Sequence, residues 1–172
     1  MKKLMSFVAA ATLAFTGLNC DAQDKSTRPS PPAQASGTTA KGTKITIDYS
    51  QPAIKGRAIG SEIAPYGKVW RTGANEATTF EVDKDVVING KPLKAGKYGL
   101  YTIPGENEWT VIFNKKSNLW GSNGYSEADD ALRITSKPTK ASAATEKMTF
   151  GVDPTGKVSF MWGDVALGFN VE

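Results

Sequence analysis

The chain has 172 residues, a formal net charge of +4, one cysteine and no histidine. This length predicts a single domain, and the absence of histidine excludes a Ser-His-Asp or Cys-His catalytic arrangement. The only thiol, Cys20, lies in a segment that we predict below to be removed. With no histidine and no other cysteine, no zinc or transition-metal site and no cofactor are expected. The basic excess is small and scattered, which argues against a nucleic-acid partner.

Residues 1–22 are predicted to be a signal peptide. Two lysines give a positive start, and residues 4–18 are apolar or small and carry no charge. Such a run is too short to span a bilayer comfortably, but it suits the hydrophobic region of a signal peptide. Cleavage after Ala22 leaves 150 residues, which we expect to be periplasmic or secreted. No other stretch is long and apolar enough to predict a membrane span.

Cys20 allows a second interpretation of this segment. In a lipoprotein the cysteine becomes the lipid-modified N-terminus, which here would give an outer-membrane anchor. The preceding residues fit this poorly, since Gly17 stands where an apolar residue is preferred and Asn19 where a small one is preferred. We therefore favour removal of Cys20 with the signal peptide, so that the mature chain starts at Gln23.

Residues 23–42 are predicted to form a flexible linker. They are rich in Ser, Thr, Pro and Ala and almost lack large apolar side chains, and residues 28–33 favour an extended, polyproline-like path. The pattern then changes, because residues 45–49 alternate between apolar and polar side chains as in a half-buried strand. We place the folded domain at residues 43–172.

The rest of the domain has the pattern of short strands separated by turns. One hairpin is predicted around Asn89-Gly90, whose residues tolerate positive φ, and another spans residues 98–113 with turn residues at Pro104-Gly105. Alternating segments continue from residue 148 to the end of the sequence, and no stretch has sustained helical periodicity. We therefore predict an all-β fold, an antiparallel, jelly-roll-like β-sandwich of about nine or ten short strands.

Four stretches form a specific pattern: RPSPPA at residues 28–33, GRAIG at 56–60, PYGKVWRTGANEAT at 65–78 and IPGENEWTVI at 103–112. On these residues the chain resembles a family of exported bacterial proteins that is classified as a domain of unknown function. The resemblance covers nearly the whole mature chain and implies an exported β-sandwich, with no established activity. The chain departs from the family pattern at Gly60, where relatives often have an aromatic residue.

The densest group of chemically useful side chains lies in the Gly-rich region before the second strand. Arg71 offers a planar fork of donors that suits a carboxylate or phosphate, and an aromatic neighbour such as Trp70 or Tyr66 supplies a stacking wall. These residue types predict a pocket for a small anion or a glycan. The candidate ligand-binding residues are Arg57, Tyr66, Trp70, Arg71, Asn75, Glu76 and Trp120.

A purely structural interpretation of these residues stays open. An ion pair between Glu76 and either Arg71 or Arg57 would pin a long loop to the sandwich without any ligand. The tryptophans also divide into two groups. Trp109 and Trp162 lie on alternating strands and are predicted to be core residues, whereas a polar loop carries Trp120 at the surface.

We expect an exported binding or interaction module rather than an enzyme, with no catalytic residue assigned. One alternative is a carboxylate-dependent hydrolase acting on envelope or extracellular polysaccharide, which needs two facing carboxylates. Glu76 with Glu106, Glu108 or Asp130 would supply them, although the spacing selects no pair. The other alternative is a structural envelope protein.

Overall fold

The computed structural model of the protein describes residues 24–172. The predicted signal peptide, Cys20 and Gln23 lie outside the described residues. Within the described part, no helix has the length and apolar character needed to cross a membrane. The strands are β1 (Pro32–Thr38), β2 (Lys44–Ser50), β3 (Thr78–Val82), β4 (Val86–Ile88), β5 (Lys91–Leu93), β6 (Gly96–Ile103), β7 (Trp109–Asn114), β8 (Asp130–Ser136), β9 (Thr139–Val152) and β10 (Lys157–Asn170), with single 3-10 turns at Lys25–Thr27 and Glu127–Asp129.

Every pairing between these strands is antiparallel. Six strands form one sheet in the order β1-β2-β3-β6-β7-β8, β9 and β10 form a long two-stranded sheet, and β4 and β5 form a hairpin. Alternating side chains from both larger sheets meet in one core, which includes Ile47, Phe80 and Phe150. The predicted antiparallel all-β sandwich is therefore confirmed.

Both predicted hairpins are present. Asn89 and Gly90 join β4 to β5 with φ values of 46° and 80°, the left-handed region that a two-residue hairpin turn needs. The second hairpin pairs β6 with β7. Lys91 also donates a hydrogen bond of 3.0 Å to the Arg133 carbonyl, so the first hairpin helps to cover the edge strand β8.

The folded region starts earlier than the sequence predicted. Residues 32–38, which were assigned to the flexible linker 23–42, form β1 and pair with β2 over their full length. A Cβ atom at Gly37 would lie 2.9 Å from a side-chain atom of Val152. Because β1 passes so close to β9, this strand needs small side chains and lacks the apolar alternation that marks the others. We call residues 24–31, which precede β1, the N-terminal segment.

The space between the sheets is filled by side chains. Trp109 and Trp162 are only 1% and 2% exposed, which confirms both predicted core positions. A void between the sheets, lined by side chains such as Leu100, Val111 and Phe160, has a volume of about 20 Å³, room for about one water molecule. This void cannot hold a ligand, so the candidate site lies on the outside of the sandwich.

Candidate functional site

The connection between β2 and β3, residues 51–77, carries most of the predicted site. Within it, Trp70 pairs with Thr102 of β6 through two backbone hydrogen bonds of 2.8 and 2.9 Å. Successive side chains of an extended chain point to opposite faces, so Trp70 turns inward and Arg71 outward. The Trp70 indole stacks on Trp162 with ring centroids 5.2 Å apart, which places it in the aromatic core and not in the wall of a surface pocket.

Arg57 and Tyr66 lie in the first part of the same connection. The Arg57 guanidinium donates hydrogen bonds to the carbonyls of Ala53 at 2.7 Å and Ile54 at 3.1 Å, which closes its own turn. Tyr66 is 41% exposed, and its ring lies over Gly60, where a Cβ atom would clash with the ring. Among the described residues, neither side chain bonds to another predicted site residue, so the structure leaves them apart from Arg71.

Asn75 and Glu76 hold the N-terminal segment against the sandwich. The Arg28 guanidinium donates hydrogen bonds to both Glu76 carboxylate oxygens, at 3.1 and 2.9 Å, and Lys25 Nζ lies 3.0 Å from Glu76 Oε1. Asn75 Nδ2 donates to the carbonyl of Ser30 at 3.0 Å. Two stretches of the sequence pattern, RPSPPA and PYGKVWRTGANEAT, therefore dock on each other.

The ion pair expected at Glu76 exists, but its partners are Arg28 and Lys25 instead of Arg71 or Arg57. Desolvation acts to raise the pKa of the Glu76 carboxyl. Hydrogen bonds from its own backbone N–H, from Lys25 and from Arg28, together with the charge of Lys25, outweigh desolvation and lower that pKa to about 2. Glu76 is thus a stable carboxylate near neutral pH and is poorly suited to act as a general base.

Residues 115–129 link β7 to β8 and lie over the outer face of the six-stranded sheet; we call them the covering loop. Backbone hydrogen bonds join Ala77 to Leu119 at 3.0 Å and Gly121 to Asn75 at 3.1 Å. Between them Glu76 and Trp120 form an antiparallel bridge. This pairing fixes the middle of the loop and leaves the Trp120 indole at the surface, where the residue is 59% exposed.

Arg71 lies under the covering loop against Gly121. A Cβ atom at Gly121 would be 3.0 Å from Arg71 Nη1, and Gly121 has a φ of 66°. Glycine is therefore favoured at this position both by the close contact and by the backbone conformation.

Arg71 differs from the other arginines in its hydrogen bonding. Arg28, Arg57 and Arg133 each donate at least two hydrogen bonds. Arg71 Nε is buried without a partner, and the described residues supply no carboxylate to this guanidinium. Burial lowers the pKa of Arg71, which nevertheless stays charged.

Tyr101 is a second polar side chain without a partner under the covering loop. It points outward from β6, is fully buried, and its hydroxyl has no hydrogen-bond partner. Its ring lies 5.1 Å from that of Tyr125 in the loop, and burial raises the pKa of Tyr101. Tyr101 is not among the predicted site residues, because a tyrosine within an apolar strand has the pattern of an ordinary core position.

A polar cleft opens on the other side of the Glu76–Trp120 bridge. It has a volume of about 460 Å³ and lies between the covering loop and the outer faces of β2, β3 and β6. Polar residues that line it include Lys25, Asp48, Glu76, Thr79, Lys97 and Asn118. The hydroxyl of Thr79, a residue only 8% exposed, has no hydrogen-bond partner. Only Glu76 of this set was predicted, because the others come from the N-terminal segment, three strands and the covering loop, which are distant in sequence.

The carboxylates considered for a hydrolase do not form a facing pair of free groups. Glu76 is bound by the N-terminal segment, and Asp130 accepts hydrogen bonds from Asn114, Tyr125 and Arg133 at 2.6 to 2.8 Å. Glu106 and Glu108 lie exposed in the β6–β7 turn. The described residues also contain no cluster of three or more His, Cys, Asp or Glu that would hold a metal ion. The geometry gives no support to carboxylate catalysis.

Comparison with known proteins identifies a family. The model of the family described as "Protein of unknown function (DUF2911)" matches residues 30–171. No curated protein and no solved structure matches the sequence.

Proposed function

The chain belongs to the DUF2911 family, and because that membership assigns no activity, we propose from the site itself that the domain is an exported, non-enzymatic module that binds a small anionic ligand at Arg71. The ligand binds under and beside the covering loop. Trp120 supplies an exposed aromatic surface next to Gly121, the residue that packs on the guanidinium. The expected ligand groups are carboxylate and phosphate, whose oxygens match the planar donor fork of arginine.

The observation that carries this proposal is the absence of a protein counter-ion for Arg71 among residues 24–172. Removing a cation from water costs free energy unless a charge or hydrogen bonds compensate. The buried Nε of Arg71 has neither, although every other arginine of the described chain is well bonded. A bound anion would restore this compensation, and a residue that served only to pin the loop would already have its partner.

Replacing Arg71 with glutamine is expected to weaken binding of glucuronate and of inorganic phosphate about tenfold or more, because charge-assisted hydrogen bonds are lost. Isothermal titration calorimetry at low salt measures the affinity. The matched control is Arg57→Gln, which removes an equal charge that bonds only to carbonyls of its own turn; we expect its affinity within about twofold of the natural protein.

The stability of the same variants separates ligand binding from a structural role. Arg71→Gln removes a desolvated cation that has no described partner, so we expect the free energy of unfolding to stay constant or rise. A clear loss of stability, combined with no anion binding by the natural protein, would show that Arg71 is a structural residue and would contradict the proposal.

The export part of the proposal rests on residues 1–22. We expect the intact mass of the protein recovered from its native host to correspond to a chain that begins at Gln23, because the residues before Cys20 fit a lipid-modification site poorly. A mass that matched a diacylated chain beginning at Cys20 would instead establish a lipoprotein, and a chain that retained residues 1–22 would contradict export.

A further inference from the structure

We infer that the polar cleft is a second subsite, which holds an uncharged sugar unit of the same ligand whose anionic group binds Arg71, so that the ligand is an acidic oligosaccharide. This inference rests on the proposed function, since it takes the Arg71 site as one end of the ligand. It adds the chemical class of the ligand and a binding surface made by β2, β3 and β6.

The cleft and the Arg71 site lie on the two sides of Trp120 along the covering loop. Three consecutive loop residues pair with the β2–β3 connection: Leu119 with Ala77, which both line the cleft, then Trp120 with Glu76, then Gly121, which packs on Arg71. An extended chain rises about 3.3 Å per residue, so the backbone beside the cleft and the backbone beside Arg71 are about 7 Å apart. A ligand of a few sugar units can therefore reach both sites and pass over Trp120.

The cleft is lined by two basic and two acidic side chains. Its ionised groups are already paired: Lys97 lies 3.3 Å from Asp48, and Glu76 is held by Lys25. Such pairs leave no single charge in need of an ion, but the partly exposed carboxylates still accept hydrogen bonds and the ammonium groups still donate them. Ligand hydroxyl groups, which both donate and accept, match this arrangement.

The hydroxyl of Thr79 in the same lining has no hydrogen-bond partner. A buried hydroxyl without a partner is costly, and native structures contain few of them. A ligand hydroxyl or a ligand-held water entering the cleft next to Thr79 would remove this cost. The volume of about 460 Å³ is in the range of small-ligand sites.

The position of the cleft on the sheet favours a sugar over a peptide. A peptide that adds to a sheet needs an unpaired strand edge. The cleft lies instead on the face of β2, β3 and β6, which are all inner strands of the six-stranded sheet. Trp120 offers a flat apolar surface rather than backbone donors, and the apolar face of a sugar ring can stack on such a surface.

The test compares three probes: glucuronate, an acidic oligosaccharide in which glucuronate is attached to three xylose units, and uncharged xylotetraose. Calorimetry should give an affinity for the acidic oligosaccharide about tenfold or more above that for glucuronate, because the second subsite adds to the first. Asp48→Asn and Thr79→Val should each reduce this advantage while leaving the affinity for glucuronate unchanged. The matched control Asp85→Asn, in the exposed ion pair with Lys94 on the β4–β5 hairpin, should preserve it.

The outcomes separate this inference from the proposed function. If the acidic oligosaccharide binds no tighter than glucuronate, or if Asp48→Asn and Thr79→Val have no effect on its advantage, the second subsite is overturned while glucuronate binding through Arg71 stands. If xylotetraose binds as tightly as the acidic oligosaccharide, the ligand is not acidic and the inference is wrong. If none of these probes binds, the second subsite is overturned; if inorganic phosphate does not bind either, the proposed function falls with it.

Discussion

Replacing Trp162 with alanine is expected to lower the free energy of unfolding by about 3–5 kcal/mol, the range for large-to-small changes of buried aromatic residues. The side chain is 2% exposed and stacks on Trp70 at an interplanar angle of 10°. Its loss would open a large cavity between the two sheets. It would also remove the stacking partner of the Trp70 indole, which anchors the chain next to Arg71. Urea denaturation followed by circular dichroism measures the change without relying on tryptophan fluorescence.

Two companion variants show whether burial is the cause. Trp120→Ala also removes a tryptophan side chain, but from a position that is 59% exposed. The free energy of unfolding should therefore stay within about 0.5 kcal/mol of the natural value. Trp162→Phe should cost only about 1–2 kcal/mol, because the lost Nε1–H group is buried without a partner and its removal offsets part of the lost packing. Similar losses for Trp162→Ala and Trp120→Ala would contradict the core assignment.

The fold could be predicted where one local rule acts alone. Period-two alternation identified the strands that face the core, and Asn89-Gly90 identified a hairpin because few other pairs accept positive φ at both positions. The rule failed at β1, where Gly37 fits against Val152. The close approach of a neighbouring strand favours small side chains there, and small side chains do not give the alternation of apolar and polar residues by which a strand is recognised.

Only part of the site could be predicted, because residue type can be read from the sequence and contacts between distant residues cannot. The donor fork of Arg71 can be recognised from residue type, whereas the partner of Glu76 depends on a contact between residues that are 48 positions apart. Local sequence therefore suggested the nearest arginines, Arg71 and Arg57, as partners. Thr79 was also missed, since an unsatisfied hydroxyl is a property of the folded surroundings and leaves no trace in spacing.

Replacing Glu76 with glutamine is expected to increase the population in which the N-terminal segment is detached at neutral pH. The change removes the charge that Arg28 and Lys25 share. Because the Glu76 side chain is 39% exposed, solvent screens these ion pairs, and the expected loss of stability is about 1 kcal/mol. Trypsin cleavage after Lys25, which lies in the segment, should become about fivefold faster. Asp85→Asn, which breaks the exposed ion pair with Lys94, should leave this cleavage unchanged.

The pH dependence of the natural protein should reproduce this detachment. The folded-state pKa of Glu76, about 2, is below its ordinary value of 4.5, so the carboxylate contributes stability that is fully present above about pH 4.5 and is lost as the pH falls toward 2. The backbone NMR signal of Ser30, whose carbonyl accepts the hydrogen bond from Asn75, should shift over that window in the natural protein and show no such transition in Glu76→Gln. Since the released segment also carries Lys25 out of the cleft wall, Glu76→Gln should bind the acidic oligosaccharide more weakly than the natural protein at neutral pH, where the ligand stays ionised. Equal affinities would separate the segment from the binding surface.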